Sequence, residues 1–180
     1  MSAVTNKIIL LLGGARSGKS AYAQELAGLA GGRVLFCATA EALDDEMQSR
    51  IKRHRRSRPP DWETVEASRD MAKALGQKAA EYDAIIIDCI TILVANVMGD
   101  GSEAEKAESS VNAEMLKLAE LLERRQSTYI LVSNEVGSGL VPDNRLGRLY
   151  RDELGKANQK LAAVSDEVYL LTAGIPLKLK

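Results

Sequence analysis

The chain has 180 residues, a formal net charge of −1, 46% apolar and 4% aromatic residues, and two cysteines. That length supports one ordinary core, and the near-neutral charge provides no general field for nucleic acid or a membrane surface. Two cysteines make no disulfide framework, no apolar run is long enough to span a bilayer, and Met1–Lys7 is polar and unlike a signal peptide. The expectation is therefore one cytoplasmic domain over residues 1–180, with Cys37 and Cys89 as buried thiols.

In chain order, the apolar run 8–12 predicts a buried parallel strand, and 21–27 predicts a helix that stops near Gly31 and Gly32. A second strand is expected at 33–38. A helix is expected from about Asp44 to Arg56, with acids at its start, bases at its end, and Met47, Ile51 and His54 on one face. Pro59 and Pro60 end it. Residues 62–66 read as a short strand or extended loop, 69–82 as a helix with Met71, Leu75 and Ala79 on one stripe, and 84–88 as a strand closed by Asp88. Gly99, Asp100 and Gly101 place a loop over 96–102, followed by a long helix at 103–125 that buries Val111, Met115, Leu118 and Leu122. A strand at 128–132 leads into a polar loop, Ser133–Gly139. Asp143 is expected to cap a helix reaching about Ser165. A strand at 167–172 and a segment at 175–179 form a C-terminal edge hairpin. Strands alternating with helices give an α/β fold of the P-loop NTPase, RecA-like kind, with a mainly parallel sheet flanked by helices.

The chemistry starts at Gly13, Gly14, Ala15, Arg16, Ser17, Gly18, Lys19 and Ser20, which read G-x-x-x-x-G-K-S between a strand and a helix. Glycines there let backbone N–H groups turn toward phosphate oxygens. Lys19 places a point charge at the β- and γ-phosphates, and the Ser20 hydroxyl can ligate Mg²⁺. An apolar strand ending in Asp88 suits the second acidic position of such sites, where the carboxylate holds Mg²⁺ beside Ser20. His54 is the one histidine of the chain, and Lys52, Arg53, Arg55, Arg56 and Arg58 surround it in sequence. Neighbouring cations disfavour its protonated form, which leaves a lone pair free for attack, and the same cations can hold a triphosphate. By itself such a charge run also fits a solvated face or nucleic-acid binding, although Trp62 is the one aromatic nearby.

Over nearly its whole length the sequence resembles the bifunctional adenosylcobinamide kinase / adenosylcobinamide-phosphate guanylyltransferase family. The resemblance is carried by residues 13–20, Leu-Asp-Asp-Glu-Met at 43–47, the pattern from Ile51 through His54 to Pro59, Asn-Glu-Val-Gly-x-Gly at 134–139, Val-Pro-Asp-Asn-Arg-Leu at 141–146 and Asp-Glu-Val-Tyr at 166–169. It implies phosphorylation of a corrinoid substrate, adenosylcobinamide, by ATP or GTP, then transfer of GMP from GTP through a guanylyl-histidine at His54. It also implies nucleotide contacts at 13–20, at Ala38, Thr39 and Ala40, at Arg55, Arg56, Ser57 and Arg58, and at Glu66 and Asp88. Asp88 stands where some members carry Glu. A homotrimer with no nucleic-acid partner is implied as well, and the loop 133–145 is expected to border the corrinoid. Nothing is carried over to 96–112. Two other readings stay open: a plain P-loop small-molecule kinase with a structural His54, and a RecA-like nucleic-acid-dependent ATPase.

Overall fold

A computed structural model describes residues 6–41, 55 and 58–180. The expected helix at 44–56, with Met47, Ile51 and His54, lies almost wholly outside the described residues, as do Arg56 and Ser57. The strands are β1 (Ile8–Gly13), β2 (Val34–Ala38), β3 (Glu63–Glu66), β4 (Ala84–Asp88), β5 (Thr128–Val132), β6 (Glu167–Thr172) and β7 (Ile175–Lys178). They form one sheet in the order β3-β2-β4-β5-β1-β6-β7, parallel throughout except for the antiparallel β6–β7 hairpin.

Alternate residues of each strand point to opposite faces, and both faces are covered, so the central strands read as unbroken apolar runs. Ile9, Leu11, Phe36, Ile86, Ile130 and Val132 pack on one face beneath α1 (Lys19–Ala30), which contributes Ala23, Leu26 and Ala27. Ile8, Leu10, Leu35, Ile85, Ile87 and Leu131 pack on the other. There they meet α2 (Met71–Leu75), α3 (Ile90–Met98), α4 (Ala104–Leu122) and α5 (Arg145–Val164). The expected stripes are buried: Met71, Leu75 and Ala79, and Val111, Met115, Leu118 and Leu122.

Three sequence expectations are corrected. The helix predicted over 69–82 is α2 followed by a 3₁₀ turn, Gly76–Glu81, because glycine weakens the α-helix at 76 and the tighter turn delivers the chain to β4. The predicted loop at 96–102 begins only after Met98. Its first three residues complete α3, a helix with little polar face because Ile90, Thr91, Leu93, Val94 and Met98 are all buried. The cap of α5 is Asn144, whose side chain accepts from Gly147 N at 2.7 Å. Asp143 stands one residue too early and uses its backbone oxygen on Arg148. Cys37 is fully buried, while Cys89 at the carboxyl end of β4 is half-buried.

The amino ends of β1 and β6 are tied by Asp166, whose Oδ2 accepts from Ile8 N at 2.8 Å and from Arg125 Nη1 at 2.7 Å. The Arg125 hydrogen bond, helped by Ile8 N–H against the opposing effect of burial, holds this carboxyl below its ordinary 3.8. A depressed carboxyl contributes stability that is complete above its unfolded value and is lost as pH falls through the folded one. Asp166→Asn keeps the shape and removes the charge. Urea denaturation at neutral pH and below pH 3.8 should show the gap between wild type and Asp166→Asn shrinking in acid, and an unchanged gap would assign the effect to something other than the carboxylate.

Candidate functional site

Because six strands run parallel, their carboxyl ends share one edge, and strand register fixes what stands there. Glu66, Ala38, Asp88 and Val132 are successive partners across β3, β2, β4 and β5. Leu11 continues the row on β1, two residues before Gly13. Open parallel sheets bind ligands along this edge.

The loop 13–18 leaves β1 at Gly13, which has φ +148 and lies so close to β6 that a Cβ would collide with the Leu171 carbonyl oxygen. At the other end of the loop, Gly18 comes within 3.0 Å of Gly174 Cα by the position of its would-be Cβ. The loop is braced from both sides. Gly174 N, in the β6–β7 turn, donates to Ser17 O at 2.9 Å, and Glu135 N donates to Gly13 O at 3.1 Å. Gly14, Ala15 and Arg16 form its exposed crest, and Ser17 is buried beneath it. Lys19, only 7% exposed, reaches back so that Nζ donates to Gly13 O at 2.9 Å, Gly14 O at 2.6 Å and Ser17 Oγ at 3.4 Å. Burial lowers its pKa, and Cys89 and Asp88 act in the opposite sense. Ser20 follows in the first turn of α1, half-exposed.

Asp88 ends β4 with its Oδ2 buried and without a hydrogen-bond partner. A buried carboxylate oxygen left unsatisfied is costly unless a cation or donor completes it. On its other side, Arg58 lays its guanidinium 3.4 Å from the Phe36 ring centroid and donates from Nη1 to Thr64 Oγ1 at 3.3 Å. Its Nε is buried without a partner. Burial lowers the Arg58 pKa, Asp88 and Glu66 raise it, and Arg55 lowers it. Lys19 and Arg58 thus both feel the Asp88 carboxylate. Arg55 and Glu66 are exposed. Of the sequence-predicted residues, 13–20, Ala38, Thr39, Ala40, Glu66, Asp88 and Arg58 come to this one edge of the sheet.

Thr39 is wholly buried, and its polar groups are all used within the fold. Its hydroxyl donates to Cys89 O at 2.9 Å and accepts from Cys89 N at 2.8 Å. Its N–H donates to Asp88 O at 3.3 Å, and its carbonyl accepts from Asn96 Nδ2 at 2.9 Å. The Thr39 side chain is therefore a bolt between the ends of β2 and β4. Burial, with a smaller contribution from Asp88, pushes the Cys89 thiol up to about 11. A second polar cluster sits under the loop after β5. There Asn134 N donates to Thr91 Oγ1 at 2.7 Å, Ser133 Oγ bonds Asn158 Oδ1 at 2.6 Å, and Asn158 Nδ2 donates to Asn134 O at 3.1 Å. Sequence reasoning missed Thr91 and Asn96. The one available signal was a pair of polar residues in an otherwise apolar nine-residue stretch.

Among the described residues no three His, Cys, Asp or Glu side chains gather as a ligand set, so a divalent cation here would take one or two protein oxygens and complete its shell with phosphate and water. The orphaned Asp88 Oδ2 fits that requirement. No helix among the described residues is long and apolar enough to cross a membrane.

A family model described as cobinamide kinase / cobinamide phosphate guanyltransferase matches residues 9–179. The chain is 42% identical over 181 residues to the bifunctional adenosylcobalamin biosynthesis protein CobU of Salmonella typhimurium, covering 96% of this chain and 99% of that one. It is 39% identical over 171 residues to the bifunctional adenosylcobalamin biosynthesis protein CobP of Pseudomonas aeruginosa, covering 95% and 96%. In fold it is similar to the flagellar accessory protein FlaH of Methanocaldococcus jannaschii, with TM-score 0.51 and 16% identity over 98% of this chain and 79% of that one.

The Thr39 bolt is testable apart from activity. Thr39→Val leaves Cys89 N–H without its partner, while Cys89 O keeps Leu93 N at 3.1 Å, and should destabilise the protein by about 1–3 kcal/mol in chemical denaturation, whereas Thr39→Ser should recover most of it. Equal stability of the valine variant would show that the hydroxyl is dispensable.

Proposed function

The chain belongs to the cobinamide kinase / cobinamide phosphate guanyltransferase family, and on that premise we propose that both reactions use one nucleotide site at the carboxyl edge of the sheet. The protein is a bifunctional cobinamide kinase and cobinamide phosphate guanylyltransferase of adenosylcobalamin biosynthesis. The observation that carries the single-site reading is the convergence of Lys19, the orphaned Asp88 carboxylate and the half-buried Arg58 guanidinium beside a braced phosphate loop.

In the first step the loop N–H groups and Lys19 hold the triphosphate, and the substrate hydroxyl attacks the γ-phosphorus; the bond from that phosphorus to the β,γ-bridging oxygen breaks, the nucleoside diphosphate leaves with the electron pair, and the hydroxyl proton passes to solvent. Ser20 and Asp88 would hold Mg²⁺, which would neutralise charge on the β- and γ-oxygens. Lys19 must first leave the carbonyls of Gly13 and Gly14 to meet the phosphates. In the second step, with GTP, an imidazole nitrogen of His54 attacks the α-phosphorus. The bond from that phosphorus to the bridging oxygen breaks, and pyrophosphate leaves with the electron pair. A phosphate oxygen of cobinamide phosphate then displaces the imidazole, forming the diphosphate and restoring His54. Arg55, Arg56 and Arg58 supply charge for the departing pyrophosphate. The loop 133–145, with exposed Asn144 and Arg145, borders the same edge and is offered as the wall facing the corrinoid.

Incubation with Mg²⁺ and GTP followed by mass spectrometry tests the assignment. The wild type should carry one GMP in an acid-labile, base-stable bond. His54→Ala should carry none while still phosphorylating cobinamide, and Lys19→Ala should lose both reactions. A protein-bound GMP in His54→Ala places the nucleophile elsewhere, and loss of both reactions in folded His54→Ala returns His54 to the common nucleotide site.

A homotrimer is the proposed assembly. It is supported by the resemblance and by the apolar residues on the edge strand and the tail after it, where Ile175, Leu177 and Leu179 are 69%, 60% and 57% exposed. Light scattering in dilute solution should give the mass of three chains, and a monomer mass would overturn it.

A further inference from the structure

Thr91 has no place in the nucleotide chemistry described above, yet its hydroxyl is one residue removed from a brace of the phosphate loop. It is buried in the first turn of α3, three residues after Asp88. Its Oγ1 accepts from Asn134 N at 2.7 Å. The next amide along the chain, Glu135 N, donates to Gly13 O at 3.1 Å. From the other side, Asn158 of α5 donates from Nδ2 to Asn134 O at 3.1 Å. Asn134 is thus held at its N–H by one helix and at its C=O by another, and the peptide that leaves it carries the N–H that meets Gly13. The oxygen it meets is shared: Gly13 O also accepts from Lys19 Nζ at 2.9 Å, in a buried contact.

From this we infer that Thr91 is a positioning residue for triphosphate binding. Through Asn134 it keeps Glu135 N on Gly13 O, so that Lys19 can leave the loop for the phosphates without stranding a buried carbonyl. The inference rests on the reading of the phosphate loop and Lys19 as the triphosphate site. In the free protein Glu135 N and Lys19 Nζ share Gly13 O, so slack at Glu135 costs little. In the complex the lysine has gone to phosphate and Glu135 N remains. The same slack then leaves a buried acceptor poorly paired, which is the expensive case. Loss of the Thr91 hydroxyl therefore weakens the complex more than it weakens the free protein, and that difference is a loss of affinity. The hydroxyl also bonds the Cys89 thiol, whereas Asn158 bonds Ser133 and Asn134, so the two residues steady one peptide by separate routes.

The test uses the full chain and reads the dissociation constant of β,γ-methylene GTP, KM and kcat for GTP in cobinamide phosphorylation, and the thermal midpoint. Thr91→Val keeps the shape and removes the acceptor. Its dissociation constant and its KM should rise about three- to tenfold, the range of one lost hydrogen bond, with kcat within about twofold of wild type. Thr91→Ser keeps the hydroxyl and should return both to within about twofold of wild type. Asn158→Ala loosens the same peptide without touching the Cys89 contact and should raise both in the same sense. It carries the comparison if Thr91→Val does not fold. A merely structural role predicts the opposite split, because fewer folded molecules lower kcat and leave KM and the dissociation constant unchanged. That result, or wild-type affinity in folded Thr91→Val, overturns the inference. Lys19→Ala separates the two failures. Undiminished binding of the analogue there overturns the phosphate-loop reading, whereas binding lost there but kept at wild-type strength by folded Thr91→Val overturns the positioning role alone.

Discussion

The structure depends on β1 being able to stop and turn at Gly13. β1 is hydrogen-bonded on both sides, to β5 and β6, so its end cannot swing away from either neighbour. The turn must be made against the backbone of Leu171, in a conformation and a space that exclude a side chain. Once that turn is made, the loop crest lies over the sheet's edge, α1 begins at Lys19, and the lysine amine is brought back beneath the crest. The β6–β7 turn and the loop after β5 then close on it from either side, each through one backbone hydrogen bond.

The other half of the edge is organised by different means. β2, β3 and β4 end in register, and side chains rather than a glycine loop fasten them: Thr39 to Cys89, and Asn96 to Thr39 and Ser68. β5 stands between β1, which leads into the phosphate loop, and β4, which ends in Asp88, and the two cations, Lys19 and Arg58, both interact with that carboxylate. A cobinamide kinase and guanylyltransferase must address both the γ- and the α-phosphorus of a nucleotide, and the proposed single site would do so along this edge.

Much of this was legible in the sequence because it is local. The apolar runs of β1, β2, β4 and β5 declare buried parallel strands, and Gly13 to Ser20 carries its own geometry. Helix α4 shows its stripe at helical spacing. What was not legible is what depends on partners distant in sequence. Helix α3 has too little polar face for a period to show, so Ile90–Met98 passes for core of any kind. Asn144 and Asp143 are equally good caps on paper, and only the path of the chain decides between them. Within the site, Thr39 reads as a nucleotide contact by position, yet its hydroxyl is committed to Cys89. The stacking of Arg58 on Phe36 joins residues that no spacing rule connects.

Lys19 rests on the oxygens of its own loop, and this makes the loop a filter on charge. An incoming ligand does not meet a free ammonium group; it must displace carbonyl dipoles at Gly13 and Gly14 that already hold it at 2.9 and 2.6 Å. An anion with one negative charge gains little by that exchange, since it replaces several good hydrogen bonds with one contact in a partly buried place. A polyphosphate replaces them with several charged oxygens and the loop N–H groups as well. The loop's own backbone is thus the competitor that an incoming anion has to beat.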